Sequence, residues 1–190
     1  MSYALNLNRP LQSIFWPKKD RLIKRIALIL AGVCVLALAS QLSIPLQPVP
    51  LTFQSATVVL IGMAYGSRYG VGVIATYLIA GACGLPLFAN FSGGIHEFFA
   101  PTAGYLIGFL PAAFLSGYLA EHGWARSISS SLIAACLGVG IIFLCGISVL
   151  SLFVDWHQAL VLGVAPFIFS ELIKLIALSL IMPRLWKKQS

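Results

Sequence analysis

Residues 26–67 read IALILAGVCVLALASQLSIPLQPVPLTFQSATVVLIGMAYGS, without a single Asp, Glu, Lys or Arg. Crossing ~30 Å of hydrocarbon takes about 20 helical residues at 1.5 Å each. The stretch is therefore long enough for two crossings, with Pro45-Leu46-Gln47-Pro48-Val49-Pro50 as the break between them. Charge-free stretches recur from Tyr69 to His96, from Phe98 to Ala120 and from Ser127 to Val154. Across all 190 residues 59% are hydrophobic and 9% charged, against roughly 45–50% and about 25% in soluble domains. That excludes a water-soluble globule and a disordered chain, and it argues against a nucleic-acid binder despite the net charge of +7. The composition is that of an integral membrane protein.

Charges and helix breakers predict six transmembrane helices in a single all-α membrane domain, 1–190, with a basic cytoplasmic arm over 1–25. The expected spans are 26–44, 51–65, 71–85, 101–120, 128–154 and 166–182. Gly66-Ser67-Arg68-Tyr69-Gly70 turns the chain between the second and third, and Trp156–Gly163 reads as a short interfacial helix. Lys and Arg collect on the cytoplasmic side of membrane proteins. The arm holds Arg9, Lys18, Lys19, Arg21, Lys24 and Arg25, the two short turns hold Arg68 and Arg126, and the tail holds Arg184, Lys187 and Lys188. Six spans with both termini cytoplasmic put all of these on one side and leave Glu97, Asp155, His96 and His157 on the other. Trp16, Trp124, Trp156 and Trp186 fall near span ends, where amphipathic rings settle.

Several chemistries are absent from the sequence. No small-residue cleavage site follows a short apolar region, so the first span reads as an anchor rather than a signal peptide. Cys34, Cys83, Cys136 and Cys145 form no CxxC pair and read as small packing residues. No G-x-x-x-x-G-K-[ST] loop, H-E-x-x-H or G-x-S-x-G occurs, so neither ATP hydrolysis, a metal site nor an enzyme is expected. The small-residue pairs Ala27/Ala31, Gly62/Gly66, Gly104/Gly108 and Ala113/Gly117 suit close helix contacts.

One pair breaks the lipid rule. In Pro166-Phe-Ile-Phe-Ser-Glu-Leu-Ile-Lys-Leu-Ile-Ala-Leu, Glu171 lies about 7–8 Å and Lys174 about 12 Å into the sixth span at 1.5 Å per residue. A charge near the bilayer centre costs roughly 2.5–3.5 kcal/mol on insertion scales. The i, i+3 spacing puts both side chains on one face, which must look into the bundle or a wet cavity. The choice is between a structural ion pair and a site for a small polar ligand, and no other charge within the spans competes for that role. Two stretches on the same side can complete a site: the stiff Pro45–Pro50 connector with Gln47, Thr52 and Gln54 nearby, and the long Leu87–Phe99 loop. The loop carries Asn90, Ser92, Gly93-Gly94, Phe88, Phe91, Phe98 and Phe99, a lid chemistry suited to a flat heterocycle.

These residues resemble the biotin-specific S component, the BioY family, of the energy-coupling factor (ECF) transporters. The resemblance is carried by Gln41–Pro50, by Gly66-Ser-Arg-Tyr-Gly, by Gly84-Leu-Pro-Leu-Phe-Ala-Asn-Phe-Ser-Gly-Gly with Pro101-Thr-Ala-Gly-Tyr-Leu-Ile-Gly-Phe, and by Pro166-Phe with the acidic-x-x-Lys of the last span. It implies a six-helix protein of a prokaryotic cytoplasmic membrane that captures biotin from outside with high affinity. The implied partners are a transmembrane coupling subunit and two cytoplasmic ATPase subunits, with biotin as transported ligand and no cofactor. Glu171, Lys174 and Asn90 match the family's ligand contacts, and Ala27 and Ala31 resemble its coupling-subunit contact. Two departures are Glu171, usually Asp, and Ala100, usually Gly before Pro101-Thr102. Tyr105, Gln54 and Phe91 join the expected ligand-binding set by position. Rival readings are an S component for another small vitamin, an intramembrane enzyme using Glu171 or His96/Glu97 as acid–base groups, and a ligandless assembly subunit.

Overall fold

A computed structural model describes residues 21–187, with side chains from 23 to 185. The basic residues Arg9, Lys18, Lys19 and Lys188 and the indole Trp16 lie outside the described residues, as do the side chains of Arg21, Trp186 and Lys187. The elements are α1 (Arg21–Gln41), β1 (Ser43–Ile44), β2 (Leu51–Thr52), α2 (Gln54–Ala82), α3 (Ala103–Glu121), α4 (Ile128–Leu150), α5 (Trp156–Gly163) and α6 (Ala165–Lys187), with single 3₁₀ turns at Ala89–Phe91, Ile95–Phe99 and Trp124–Arg126. Among the described residues five stretches are long and apolar enough to cross a membrane: Ile23–Gln41, Gln54–Ala82, Ala103–Glu121, Ile128–Leu150 and Trp156–Leu185.

The expected second and third spans fall in one element, α2, apart from residues 51–53 and 83–85, and that element is not straight. Gly66 sits at φ 82°, ψ 171°, a conformation open to glycine and strained for any residue with a Cβ. In a straight helix Gln54 and Tyr77 would stand ~35 Å apart. Instead Gln54 Nε2 donates to Tyr77 Oη at 2.7 Å. A Cβ at Gly70 would lie 2.9 Å from Gly62 Cα. The chain folds back at Gly66, and its two arms run side by side. Glu121 at the end of α3 secures the start of the second arm, its carboxylate accepting from Ser67 N at 2.8 Å and Ser67 Oγ at 2.9 Å. A carboxylate suits the exposed N–H groups and positive dipole end of a helix start.

Helix ends differ from the expected limits for local reasons. Residues 42–44 do not continue α1, because Ser43 and Ile44 pair antiparallel with Thr52 and Leu51. The second span correspondingly begins at Gln54 rather than residue 51. α4 stops at Leu150 rather than 154, where Ser151, Leu152 and Phe153 close onto the carbonyls of Ile147, Val149 and Leu150. α5 matches the expected short segment, with Asp155 Oδ1 capping it through Gln158 N at 3.0 Å.

Small residues set the packing. A Cβ on Gly62 would lie 2.6 Å from Ala113 O and would overlap Ser116 Oγ. One on Gly117 would meet Ser67 N at 2.6 Å, and Gly104 and Gly108 face Cys145, Val149 and Ile142 in the same way. Three of the four small-residue pairs thus bring helix backbones together inside the bundle. The fourth, Ala27/Ala31, is exposed on α1. Overpacking costs typically ~1–3 kcal/mol. Gly117→Ala should therefore lower the thermal unfolding midpoint of detergent-purified protein by several degrees. Gly140→Ala, where an added Cβ meets nothing within 4 Å, should leave it unchanged, and equal midpoints for the two variants would contradict this packing.

Candidate functional site

α6 brings Glu171 and Lys174 onto one face, and both are buried at 5% and 8% exposure. Their neighbours come from the strand-to-helix junction 52–55, more than a hundred residues earlier in the chain. Lys174 Nζ donates to the Thr52 carbonyl at 2.7 Å and to Glu171 Oε1, and lies 5.4 Å from the centroid of the Phe53 ring. These contacts satisfy the ammonium from three directions. Ser55 Oγ also donates to Glu171 Oε1, at 2.7 Å. The second carboxylate oxygen, Glu171 Oε2, is buried and takes part in no hydrogen bond. Such a group carries a desolvation cost of about 1–3 kcal/mol or more when charged, and it is a ready acceptor for an N–H or O–H.

Glu171 lies on the wall of a cavity of about 340 Å³, within the roughly 300–1,000 Å³ range of small-molecule sites. One wall is aromatic: Tyr105, Phe143 and Phe167 stand in sequence at centroid distances of 6.1 and 5.9 Å, and Phe109 and Phe88 extend it. Pro48, Val49 and Pro50 close another side, and Asn90, Ser92, Glu97 and Thr102 come from the loop that precedes α3. Most side-chain donors around Glu171 are already engaged. Tyr105 Oη donates to the Gly163 carbonyl at 2.9 Å, Thr52 Oγ1 to Gln54 Oε1 at 3.2 Å and Gln54 Nε2 to Tyr77 Oη at 2.7 Å. This end of the cavity thus holds one buried carboxylate oxygen without a partner, on a residue of the wall, beside flat apolar groups.

The loop is tied down from α1 and α2. Ser40 Oγ and Tyr77 Oη both donate to the Leu87 carbonyl, at 2.6 and 2.8 Å. Gln41 bonds the loop backbone twice, donating to Phe88 O at 3.0 Å and accepting from Phe91 N at 2.9 Å. Ser43 Oγ donates to Asn90 Oδ1 at 3.2 Å. Asn90 and Phe91 have φ of 58° and 56°, so this strap holds two residues in the left-handed region, which is uncommon for side chains with a Cβ.

Of the six residues expected to bind the ligand, Glu171, Asn90, Tyr105 and Gln54 line the cavity, and Lys174 and Phe91 do not. Lys174 stands behind Glu171 and serves it as counter-ion. Phe91, expected in the lid over a ligand, is 71% exposed and absent from the walls. Phe88, named in the same lid, does line the cavity, buried over Gly81 and edge-on to Tyr77 and Phe98. Gln47 is exposed and also off the walls. Sequence reasoning missed Ser55, Tyr77, Gln41, Phe143 and Phe167. A polar residue in an apolar span or at its end was the available signal for Ser55 and Gln41; Phe167 stood in the Pro166-Phe stretch without a role assigned to it, and nothing marked Phe143. Among the described residues no group of three or more His, Cys, Asp or Glu is placed to hold a metal ion.

Fold and site together define a helical membrane protein built around a small-molecule cavity. The BioY family profile matches residues 9–190. Similar proteins include "Biotin transporter BioY" of Thermotoga maritima, 42% identical over 84% of this chain and 95% of that one, and "Probable biotin transporter BioY" of Pyrococcus horikoshii, 37% identical over 85% and 96%. Among solved structures, the S-component for biotin from an ECF-type ABC transporter superposes with a TM-score of 0.81 at 26% identity, over 92% of this chain and 96% of that one. The chain belongs to the BioY family.

The strap has a direct test. Gln41→Leu should raise backbone amide exchange across 87–92 at least about tenfold, the equivalent of ~1.4 kcal/mol of local opening. Gln47→Leu should leave it unchanged, and protection surviving in Gln41→Leu would contradict this role.

Proposed function

We propose that this chain captures biotin and supports its uptake across a prokaryotic cell membrane as the S component of an ECF transporter. The observation that carries the reading is the buried, unpartnered Oε2 of Glu171, a residue of the cavity wall. Biotin's ureido ring presents two N–H donors beside an apolar thiophane and chain. The open carboxylate oxygen accepts one N–H as a charge-assisted bond of about 1.5–3 kcal/mol. The second amide N–H of Gln54 and the amide of Asn90 are donors for the ring carbonyl and the chain, and Tyr105, Phe143 and Phe167 pack the rings. In this orientation the ureido end meets Glu171, while Lys174 acts through Glu171 instead of touching the ligand.

Supporting features extend to the whole chain. The fold-back at Gly66 gives α2 two antiparallel arms, which favours six crossings in one membrane domain with both termini cytoplasmic. Arg68 and Arg126 then lie at the two turns on the same side as the termini. The exposed Ala27/Ala31 face of α1 is a surface for the coupling subunit, and the two ATPase subunits supply the phosphate loop this sequence lacks. The BioY relatives are transporters, which weighs against the intramembrane enzyme. An S component for another vitamin remains the rival to test.

Calorimetric titration of purified protein should show saturable biotin binding at one site, with thiamine, riboflavin and folate failing to compete. Glu171→Ala and Lys174→Ala should each weaken binding at least about tenfold, or ~1.4 kcal/mol, while both still insert. Absence of biotin binding, or normal affinity in both variants, would overturn the assignment.

A further inference from the structure

The charges around the cavity restrict the other end of the ligand. Among the described residues its walls carry two carboxylates, Glu171 and Glu97, and no Lys, Arg or His. The buried cation nearby, Lys174, is turned to Thr52, Glu171 and Phe53, and its charge is matched by Glu171. Glu97 is different. It comes from the Ile95–Phe99 turn, its side chain is 20% exposed, and its neighbour of opposite potential is His96 Nε2 at 3.6 Å on a side chain that is 75% exposed. An exposed imidazole facing water compensates a carboxylate weakly. The other polar residues that the preceding loop gives to the wall, Asn90, Ser92 and Thr102, are neutral.

We infer that Glu97 is a specificity-determining residue that disfavours an anionic tail, so that the site accepts tail amides of the cyclic urea at least as well as the free acid. The inference rests on the biotin reading above and names a wider substrate class for the same cavity. Glu171 and Glu97 line the same cavity, so with the ureido ring against Glu171 a valerate chain that runs to the loop wall meets Glu97. A carboxylate placed there meets a like charge and no cation, which costs affinity. A carboxamide presents an N–H₂ group to Glu97 as a donor and keeps a carbonyl for Asn90 or Thr102. The chemistry that Glu97 rejects is thus the charge and not the length of the chain.

The test is a two-by-two titration of the detergent-purified full chain: biotin and biotinamide, each against the wild type and Glu97→Gln. The wild type is expected to bind biotinamide at least as tightly as biotin, by a factor of about 1–10 for a partly exposed charge contact. Glu97→Gln should tighten biotin about threefold or more and shift the biotin-to-biotinamide affinity ratio toward the acid. A purely structural role for Glu97 would change both ligands equally and leave that ratio fixed. A wild type that prefers biotin over biotinamide about tenfold or more, or a ratio unmoved in Glu97→Gln, would overturn the inference while leaving biotin capture intact. The wild-type comparison alone decides if the variant fails to fold. If neither compound binds the wild type, the biotin reading falls and this inference with it.

Discussion

A carboxylate and an ammonium can persist in an apolar bundle only if each is compensated, because a buried ion costs several kcal/mol to strip of water. Glu171 and Lys174 meet that requirement unequally. Lys174 is fully engaged by a backbone carbonyl, a carboxylate oxygen and an aromatic face. Glu171, a residue of the cavity wall, is engaged through Oε1 alone, while its Oε2 is buried without a partner. Under the proposed function, that asymmetry makes the ion pair a polar anchor for a ligand. It also ties α6 to the 52–55 junction, and so couples the shape of the cavity to the stability of the pair.

The rest of the fold serves that arrangement. The reversal at Gly66 brings Tyr77 beside Gln54, so that one hydroxyl links the cavity wall to the Leu87 carbonyl of the loop. Glycines on α2 and α3 allow their backbones to approach closely, and the aromatic rings of α3, α4 and α6 meet edge-on or tilted along one wall of the cavity. The end of α1 holds the loop by Ser40 and Gln41. Residues 27 and 31 lie on the exposed face of the same helix, so the proposed coupling surface and the loop strap share one rigid element.

Much of this was legible in the amino-acid order because lipid imposes a simple rule on charge. The runs without Asp, Glu, Lys or Arg marked the apolar helices, and the one violation marked Glu171 and Lys174. Pairings across the bundle were not legible. Ser55 and Glu171 are separated by 116 positions, and Phe143 is one among many apolar residues until its helix packs. Phe88 and Phe91 show the same limit on a smaller scale. Both are loop phenylalanines three apart, and the left-handed backbone at Asn90 and Phe91 places one on the cavity wall and the other at the surface. The division of labour within the ion pair also lay beyond sequence, since i, i+3 spacing places both groups on one face without saying which one reaches the cavity.

The central claim is that the open oxygen of Glu171 accepts an N–H from the ligand's cyclic urea. Measuring the dissociation constant of biotin methylated on both ureido nitrogens, beside biotin itself, tests it most directly. The account predicts at least a tenfold loss with the methylated compound, about 1.4 kcal/mol or more for the missing charge-assisted bond. Equal affinity for the two compounds would contradict it.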